Sequence, residues 1–354
     1  MSDSQPAHSL IAAAAAVIIV ALSLYLLVVG EAILIPLVLA IFITYLLVAV
    51  AHGLQRIKIG GRGLPEGLAL SAAALLFLLA IAVLVQLIAG NVRAVVEAAP
   101  AYQTRLESLL SDVNTYIATT FNRGKPLTVT SVLDQIDLRA ILARLAGVFQ
   151  EVASNTFQIL IYVAFLLLEV GTFDSKLTAM FPGEARQVVL RGTLRQIGHK
   201  IERYVLIKTG VSMLIGLLTF ATLSMLHVDF APFFGLLHFV LNFVPYVGAV
   251  VGITLPTLLA LLQFGTIGKV VAVAAVLCIN QVVVDNMLEP KLAGKTLNLS
   301  PIIIVLGLSV WGTMWGIIGM VLSVPIMVIV MIILSQFPRT RPVAVLMSEN
   351  GEIR

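Results

Sequence analysis

The sequence predicts an all-α protein: a polytopic helical membrane protein with about eight membrane segments, two of them broken or re-entrant hairpins, plus an extramembrane helical segment. Three observations carry this reading. Apolar residues make up 60% of the 354 positions and charged residues 11%, with a mean hydropathy of +1.06; soluble domains run at about 45–50% apolar and about 25% charged. The apolar residues come in runs long enough to cross roughly 30 Å of hydrocarbon. Two of those runs, "LNFVPYVGAVVGITLP" and "VWGTMWGIIG", are interrupted by Pro, Gly or Asn, which an unbroken helix avoids.

Apolar length, and the Gly, Pro and charged residues that end each run, place the segments in order. The first covers about residues 10–29 and reads as a retained span, because it is longer than a signal-peptide core and no basic residues precede it. A second covers about 33–51, joined to it by little more than Gly30–Glu31, and a third about 68–89. Residues 91–154 carry charges throughout and cannot cross. Val92, Val95, Val96, Ala99, Tyr102, Leu106, Leu109, Leu110, Val113, Tyr116 and Ile117 nevertheless repeat at three and four, one face of an amphipathic helix, with a turn at "FNRGKPLTVTS" and a second helix from near Asp137.

A fourth span covers about 157–170. The basic stretch after it holds Lys176, Arg186, Arg191, Arg195, Lys200, Arg203 and Lys208; Pro182 suits its first helical turn, and Val189, Leu194, Ile197, Ile201 and Tyr204 give it an apolar side. It reads as a helix lying in the interface with its cations toward anionic headgroups, or as an ordinary connecting helix. A fifth span covers about 211–226 and a further full span about 267–284. The positive-inside rule puts this basic stretch, the loop with Arg56, Lys58 and Arg62, both "LEPKLAGKT" and "FPRTRP", and both termini in the cytoplasm, with 91–154 outside. Parity then makes 230–263 a hairpin dipping in from outside and 301–334 one entering from the cytoplasm; pairs of full-length bent spans satisfy the same parity. The chain divides at 1–90, 91–154, 155–209, 210–335 and a tail at 336–354.

A net charge of +4 sits in short loops, where orientation explains it, so nucleic acid is not an expected partner; membrane lipid is. The single cysteine, Cys278, excludes an intrachain disulfide and a cysteine metal cluster. No phosphate-binding GxxxxGK[ST] loop and no HExxH occur, and no Ser/His/Asp grouping stands out, so neither enzyme chemistry nor a metal or cofactor is expected.

The chemistry concentrates in the last third. Irregular backbone survives at bilayer depth only against protein or a wet cavity. Pro245 removes a donor and Gly248 and Gly252 loosen the helix, so this break marks either a solute path, as in broken transporter helices, or a kink that shapes packing. His238 and Asn242 lie four apart on one helical face; the histidine either faces the path or bonds a neighbouring carbonyl. Gln281, Asp285 and Glu289 follow at i, i+4 and i+8, and two carboxylates there could relay protons or hold a cation.

The segments "NFVPYVGAVVGITLP" and "DNMLEPKLAGKTLNLSPIIIVLGLSVWGTMWGIIGMVLSVPI" resemble the autoinducer-2 exporter family of bacterial permeases, whose E-P-x-x-x-G-x-x-x-x-x-S-P and G-x-x-G-x-x-x-x-x-P pattern the second one matches. The amino-terminal third matches in topology alone. The resemblance implies an inner-membrane exporter or permease for small solutes, autoinducer-2 in some members and cation/proton antiport in others, assembled as a homo-oligomer, a pentamer. The matching positions are Asn242, Pro245, Tyr246, Gly248, Glu289, Pro290, Gly294, Ser300, Pro301, Gly316, Gly319 and Pro325; Ala249 stands where the family often has proline. Gly312, Gly316 and Gly319 would let the second hairpin bend or pack closely, and Pro290 and Pro301 would fix the ends of the cytoplasmic loop. The expected function is export of a small polar solute by alternating access, with His238, Asn242, Tyr246, Gln281, Asp285 and Glu289 along the pathway. The alternatives are Na⁺(Li⁺)/H⁺ exchange, with a proton or sodium as the coupled ion, and a non-transporting oligomeric scaffold.

Overall fold

The structure is a computed structural model that describes residues 5–56, 58–59, 62–121, 138–181, 183–293 and 298–352. Helix α1 (Gln5–Val29) passes through Gly30 into α2 (Glu31–Gln55), and a two-residue antiparallel ribbon, β1 (Lys58–Ile59) with β2 (Arg62–Gly63), leads to α3 (Glu66–Phe121). Next come α4 (Leu138–Met180), α5 (Glu184–Met225), α6 (Ala231–Leu241), α7 (Val247–Phe264) and α8 (Ile267–Val283). A π turn (Val284–Leu288), α9 (Glu289–Ala293), α10 (Pro301–Ser335) and α11 (Arg341–Met347) complete the chain. Six helices among the described residues are long and apolar enough to cross a bilayer, and α4 adds an apolar stretch, Asn155–Glu169, bent by 70° from Thr172–Met180. The apolar segments come in the order that hydropathy gives.

Helix continuity differs from the sequence reading. The boundaries at 90/91, 154/155 and 209/210 all fall inside α3, α4 and α5. With 56 residues, α3 rises about 84 Å, far more than a bilayer core, so the third span and the amphipathic helix that follows it are one element. Likewise the basic stretch is the first part of a 42-residue helix that becomes the fifth span, not a separate helix lying in the interface. Hydropathy changes at the water boundary, but i to i−4 hydrogen bonds are local and carry the helix across it. Pro182, the turn read at 122–131 and Gly294 lie outside the described residues.

Two compact units divide the chain, and neither is contiguous: one holds residues 1–44, 155–197 and 298–354, the other 45–154 and 198–297. In the first, α10 folds back on itself. Backbone angles leave helical values at Trp315 and Gly316 (φ +61°, ψ −143°), a region open to glycine alone. A Cβ built at Gly319 would lie 2.0 Å from the Trp311 carbonyl oxygen, one at Gly312 would meet Met320 at 2.8 Å, and one at Gly307 would meet Met327 at 2.9 Å. In a straight helix residues 307 and 327 would stand about 30 Å apart, so α10 is an antiparallel hairpin and not one span. The Trp315 indole donates to the Leu27 carbonyl of α1 (2.9 Å), which anchors the tip. The tail is folded as well: Ser300 N donates to Met347 O, Glu349 N donates to Asn298 O, and Ala344 and Met347 are buried.

The second unit contains the other hairpin. Helix α6 has 11 residues, about 16 Å, too short to cross. It ends at Asn242, and the turn through Phe243–Tyr246 sends α7 back beside it: a Cβ at Gly248 would lie 2.3 Å from the Leu241 carbonyl oxygen, and one at Gly252 would lie 2.3 Å from the His238 ring. The open end is tied by Gln263, whose Oε1 accepts from Asp229 N (2.9 Å) while its Nε2 donates to the His227 carbonyl (2.9 Å). Both ends of the hairpin therefore emerge at one level, as a re-entrant segment requires. Helices α5 and α6 cross with backbones in contact, Gly216 against Gly235. Phe233, Phe234, Leu237, Leu241, Ala260, Val273 and Leu277 fill the space between α6, α7 and α8.

If these contacts build the hairpins, Gly248→Ala and Gly316→Ala each lower stability by about 1–3 kcal/mol through collision or backbone strain. Thermal unfolding of the purified protein in detergent checks this, with Gly268→Ala, which meets open space, expected to leave the midpoint in place.

Candidate functional site

Helix α5 supplies the spine of the site. Lys208, Ser212, Thr219 and Thr222 follow at intervals of four, seven and three, so they share one face, and all four are buried. Each meets a polar side chain from α6 or from the α8–α9 region. Lys208 Nζ donates to both oxygens of Glu289 (3.0 and 3.1 Å). Asn242 Nδ2 donates to Ser212 Oγ (3.0 Å), and Gln281 Nε2 donates to Asp285 Oδ2 (2.8 Å) with Asn242 Oδ1 at 3.5 Å. Thr219 Oγ1 and His238 Nδ1 share a bond of 2.8 Å, and Asn280 Nδ2 donates to Thr222 Oγ1 (3.1 Å). From Lys208 to Thr222 this polar ladder rises about 21 Å, some two thirds of a hydrocarbon core.

Two atoms on the ladder, His238 Nε2 and Gln281 Oε1, are buried without a hydrogen bond of good geometry, although the two side chains lie close enough to interact with each other. If the Thr219 hydroxyl donates to Nδ1, the imidazole proton sits on Nε2 and makes it a donor; Gln281 Oε1 is an acceptor. As a donor and an acceptor they can pair with each other on a small shift of either side chain, or bond a hydroxyl group placed between them. Gly252 is what allows the ring to lie flat on α7, since any side chain there would strike it.

A π turn shapes the lower end. The amide of Glu289 bonds back to Val284 O, five residues earlier, so one extra residue is wound into this turn. In regular α geometry Glu289 would stand about 80° round the helix from Gln281; the extra residue brings it to within about 20° and so toward Lys208.

Of the residues read from sequence, His238, Asn242, Gln281, Asp285 and Glu289 are brought together on this ladder. Tyr246 is not: it is 58% exposed at the hairpin tip, with φ +63° in a γ-turn closed by Val247 N donating to Pro245 O (2.7 Å). Pro245 lies in the turn, Gly248 and Gly252 face α6, and Pro290 lies in α9. Gly312, Gly316, Gly319, Pro301 and the buried Pro325 belong to α10, in the other unit. Sequence reasoning missed Lys208, Ser212, Thr219 and Thr222; their helical spacing was the available signal.

At the open end of the first hairpin, Tyr102 of α3 donates to Asp229 Oδ2 (2.6 Å) and packs edge-on against Phe230. Burial, with the Asp229 carboxylate adding to it, pushes the phenol above its ordinary range, so it stays a donor.

Re-entrant helices around a buried polar path define a multi-pass membrane protein of the solute-transporter class. Residues 15–339 match the AI-2E family transporter profile, and the chain belongs to that family. It is 29% identical over 320 residues to the AI-2 transport protein TqsA of Escherichia coli K12, covering 90% of each chain. It is also 29% identical over the full length of each chain to a Haemophilus influenzae protein named for transport, and 26% identical to a Bacillus subtilis protein so named, YrrI, over 88% of each.

Thr219→Val would strand His238 Nδ1 in the interior, at a cost of about 1–3 kcal/mol. A thermal midpoint well below that of Thr193→Val, whose hydroxyl bonds only its own helix, is the expected result.

Proposed function

We propose that this protein exports a small polar solute, autoinducer-2 or a comparably hydroxylated molecule, by a secondary or facilitated mechanism along the ladder on α5. The observation that carries the reading is the buried polar face of α5, with His238 Nε2 and Gln281 Oε1 midway along it and lacking a well-formed hydrogen bond. A hydroxyl accepts from one and donates to the other; an apolar solute does neither. The AI-2 transport name of the Escherichia coli relative supports the solute class. The distribution of Lys and Arg supports an inner membrane protein with both termini cytoplasmic, so that the Lys208–Glu289 end of the ladder faces the cytoplasm. Family likeness supports a homo-oligomer, a pentamer.

A second reading has its own observation. Among the described residues the ladder holds one cation, Lys208, against two carboxylates, Asp285 and Glu289, and Asp285 accepts from the Gln281 amide. That excess of negative charge favours a monovalent cation, so exchange of Na⁺ or Li⁺ for H⁺, alone or coupled to the solute, fits the same groups.

Flux into proteoliposomes separates these. Asn242→Leu, which removes the link between Ser212 and Gln281, is expected to cut uptake of autoinducer-2 at least tenfold, with a structurally unrelated polyol as the comparison solute. Asp285→Asn is expected to abolish the pH or sodium dependence. Flux that keeps its rate in the first variant and its pH dependence in the second would retire the ladder as the route.

A further inference from the structure

The lower end of the ladder is closed by a device that the transport reading does not itself require. Lys208 is 9% exposed in its side chain and holds Glu289 through both carboxylate oxygens, across from α5 to α9. No other described side chain pairs with either group. This contact depends on the π turn, because only the extra residue in Val284–Leu288 swings Glu289 round to the α5 side. The turn is held at one point: Val284 is 2% exposed and packs on Val211 and Ile215 of α5, whereas Asn286 and Met287 face outward. A π turn is a single inserted residue and can relax to α geometry by moving that insertion along the helix. The relaxation turns the downstream helix, α9, by about 100° and shifts it about 1.5 Å, with no change in the packed helices before it.

We propose that the Lys208–Glu289 pair is the cytoplasmic gate of the ladder, and that relaxation of the Val284–Leu288 π turn opens it by rotating Glu289 away from Lys208. Lys208 thereby acts as a gating residue. Closed, the pair blocks the path one turn below Ser212 and Asn242. Open, it leaves Lys208 and Glu289 each facing a hydrated mouth, where separated charges are tolerated. Rotation of one helical end past another, with the rest of the bundle fixed, is a small motion that uncovers a whole turn of the polar face. The placement of the gate at the cytoplasmic side rests on the orientation proposed above; the gate itself rests on the ion pair and the π turn.

The test reads access and not transport. In a Cys278→Ser background, which removes the sole cysteine, Ser212→Cys reports on the buried ladder and Lys291→Cys on the exposed surface just beyond the gate. A membrane-impermeant maleimide is applied to inside-out vesicles. Lys291→Cys is expected to label fast and Ser212→Cys slowly. Adding Lys208→Gln or Glu289→Gln should speed labelling at 212 at least tenfold, whereas deleting Asn286, which leaves Glu289 seven residues after Gln281 in regular α geometry and so still facing Lys208, should keep it slow. The reversed pair, Lys208→Glu with Glu289→Lys, should restore slow labelling and shows that the variants fold. Labelling at 212 that stays slow in both open-gate variants, or that is as fast in the reversed pair as in Lys208→Gln, overturns the gate. If Lys291→Cys labels only in right-side-out vesicles, the orientation has failed, and the same comparison in those vesicles then decides the gate. Fast labelling in the open variants beside flux that ignores Asn242→Leu would sink the route and leave the gate standing.

Discussion

A peptide group without a hydrogen-bond partner costs several kcal/mol in hydrocarbon, and that constraint decides what the two broken segments can be. Both are solved in the same way. The second hairpin turns at Gly316 and the first through Phe243–Tyr246, and in both, glycines in the arms let the helices pack closely. Gly248 on Leu241 and Gly252 on His238 do this for the first hairpin; Gly312 on Met320 and Gly319 on Trp311 do it for the second. The tip of the second gives its indole donor to a carbonyl of α1. Close packing satisfies the main chain, but in the first hairpin it also delivers His238 and Asn242 to the middle of a helical face that already carries Ser212 and Thr219. The polar ladder is therefore a product of the same glycine contacts that make a re-entrant helix possible.

Burying so many polar groups needs each to be paired, and the ladder nearly achieves it. Amides and hydroxyls bond one another from Ser212 to Thr222, and the cation is shared at one end by a carboxylate on a widened turn. A fully satisfied network of this kind would be a plain structural seam between helices, of the sort that sets helix register. His238 Nε2 and Gln281 Oε1, near its middle, are the two atoms whose hydrogen bonds are not well formed, and the proposed route depends on them. They lie on different helices, α6 and α8, so a group that bonded both would pull on the hairpin and on the helix leading to the π turn together. The clasp of Tyr102 on Asp229 sits at the open end of the same hairpin, where α3 meets it.

Much of this was legible in the sequence because hydropathy and chain breakers are strong signals. The membrane segments, the first hairpin around Pro245 and Gly248, and the second around Gly316 come from runs of apolar residues and their interruptions. Residues on one helix were also legible as faces: His238 with Asn242, and Gln281 with Asp285. The contacts that join helices were not legible. Ser212, Thr219 and Thr222 are ordinary residues of an apolar helix until α6 and α8 are placed beside them, and Lys208 reads as a loop cation when the span is taken to start at the hydropathy boundary. The π turn leaves no mark in "VDNML". Nor does composition reveal that α3, α4 and α5 continue past the membrane edge, or that residues 341–349 fold back on 298–300. Tyr246 lies off the ladder for a related reason: at a turn, spacing along the chain no longer says which way a side chain points.

The central claim is that the buried polar face of α5 is a path for a hydroxylated solute and not a seam. An experimental map of the protein with ordered solvent resolved, recorded with and without autoinducer-2, tests it most directly. The account predicts density for water, or for a solute hydroxyl, within about 3 Å of both His238 Nε2 and Gln281 Oε1. A dry ladder in which His238 Nε2 donates to a main-chain carbonyl and Gln281 Oε1 accepts from a helix neighbour, unchanged when solute is added, would contradict it.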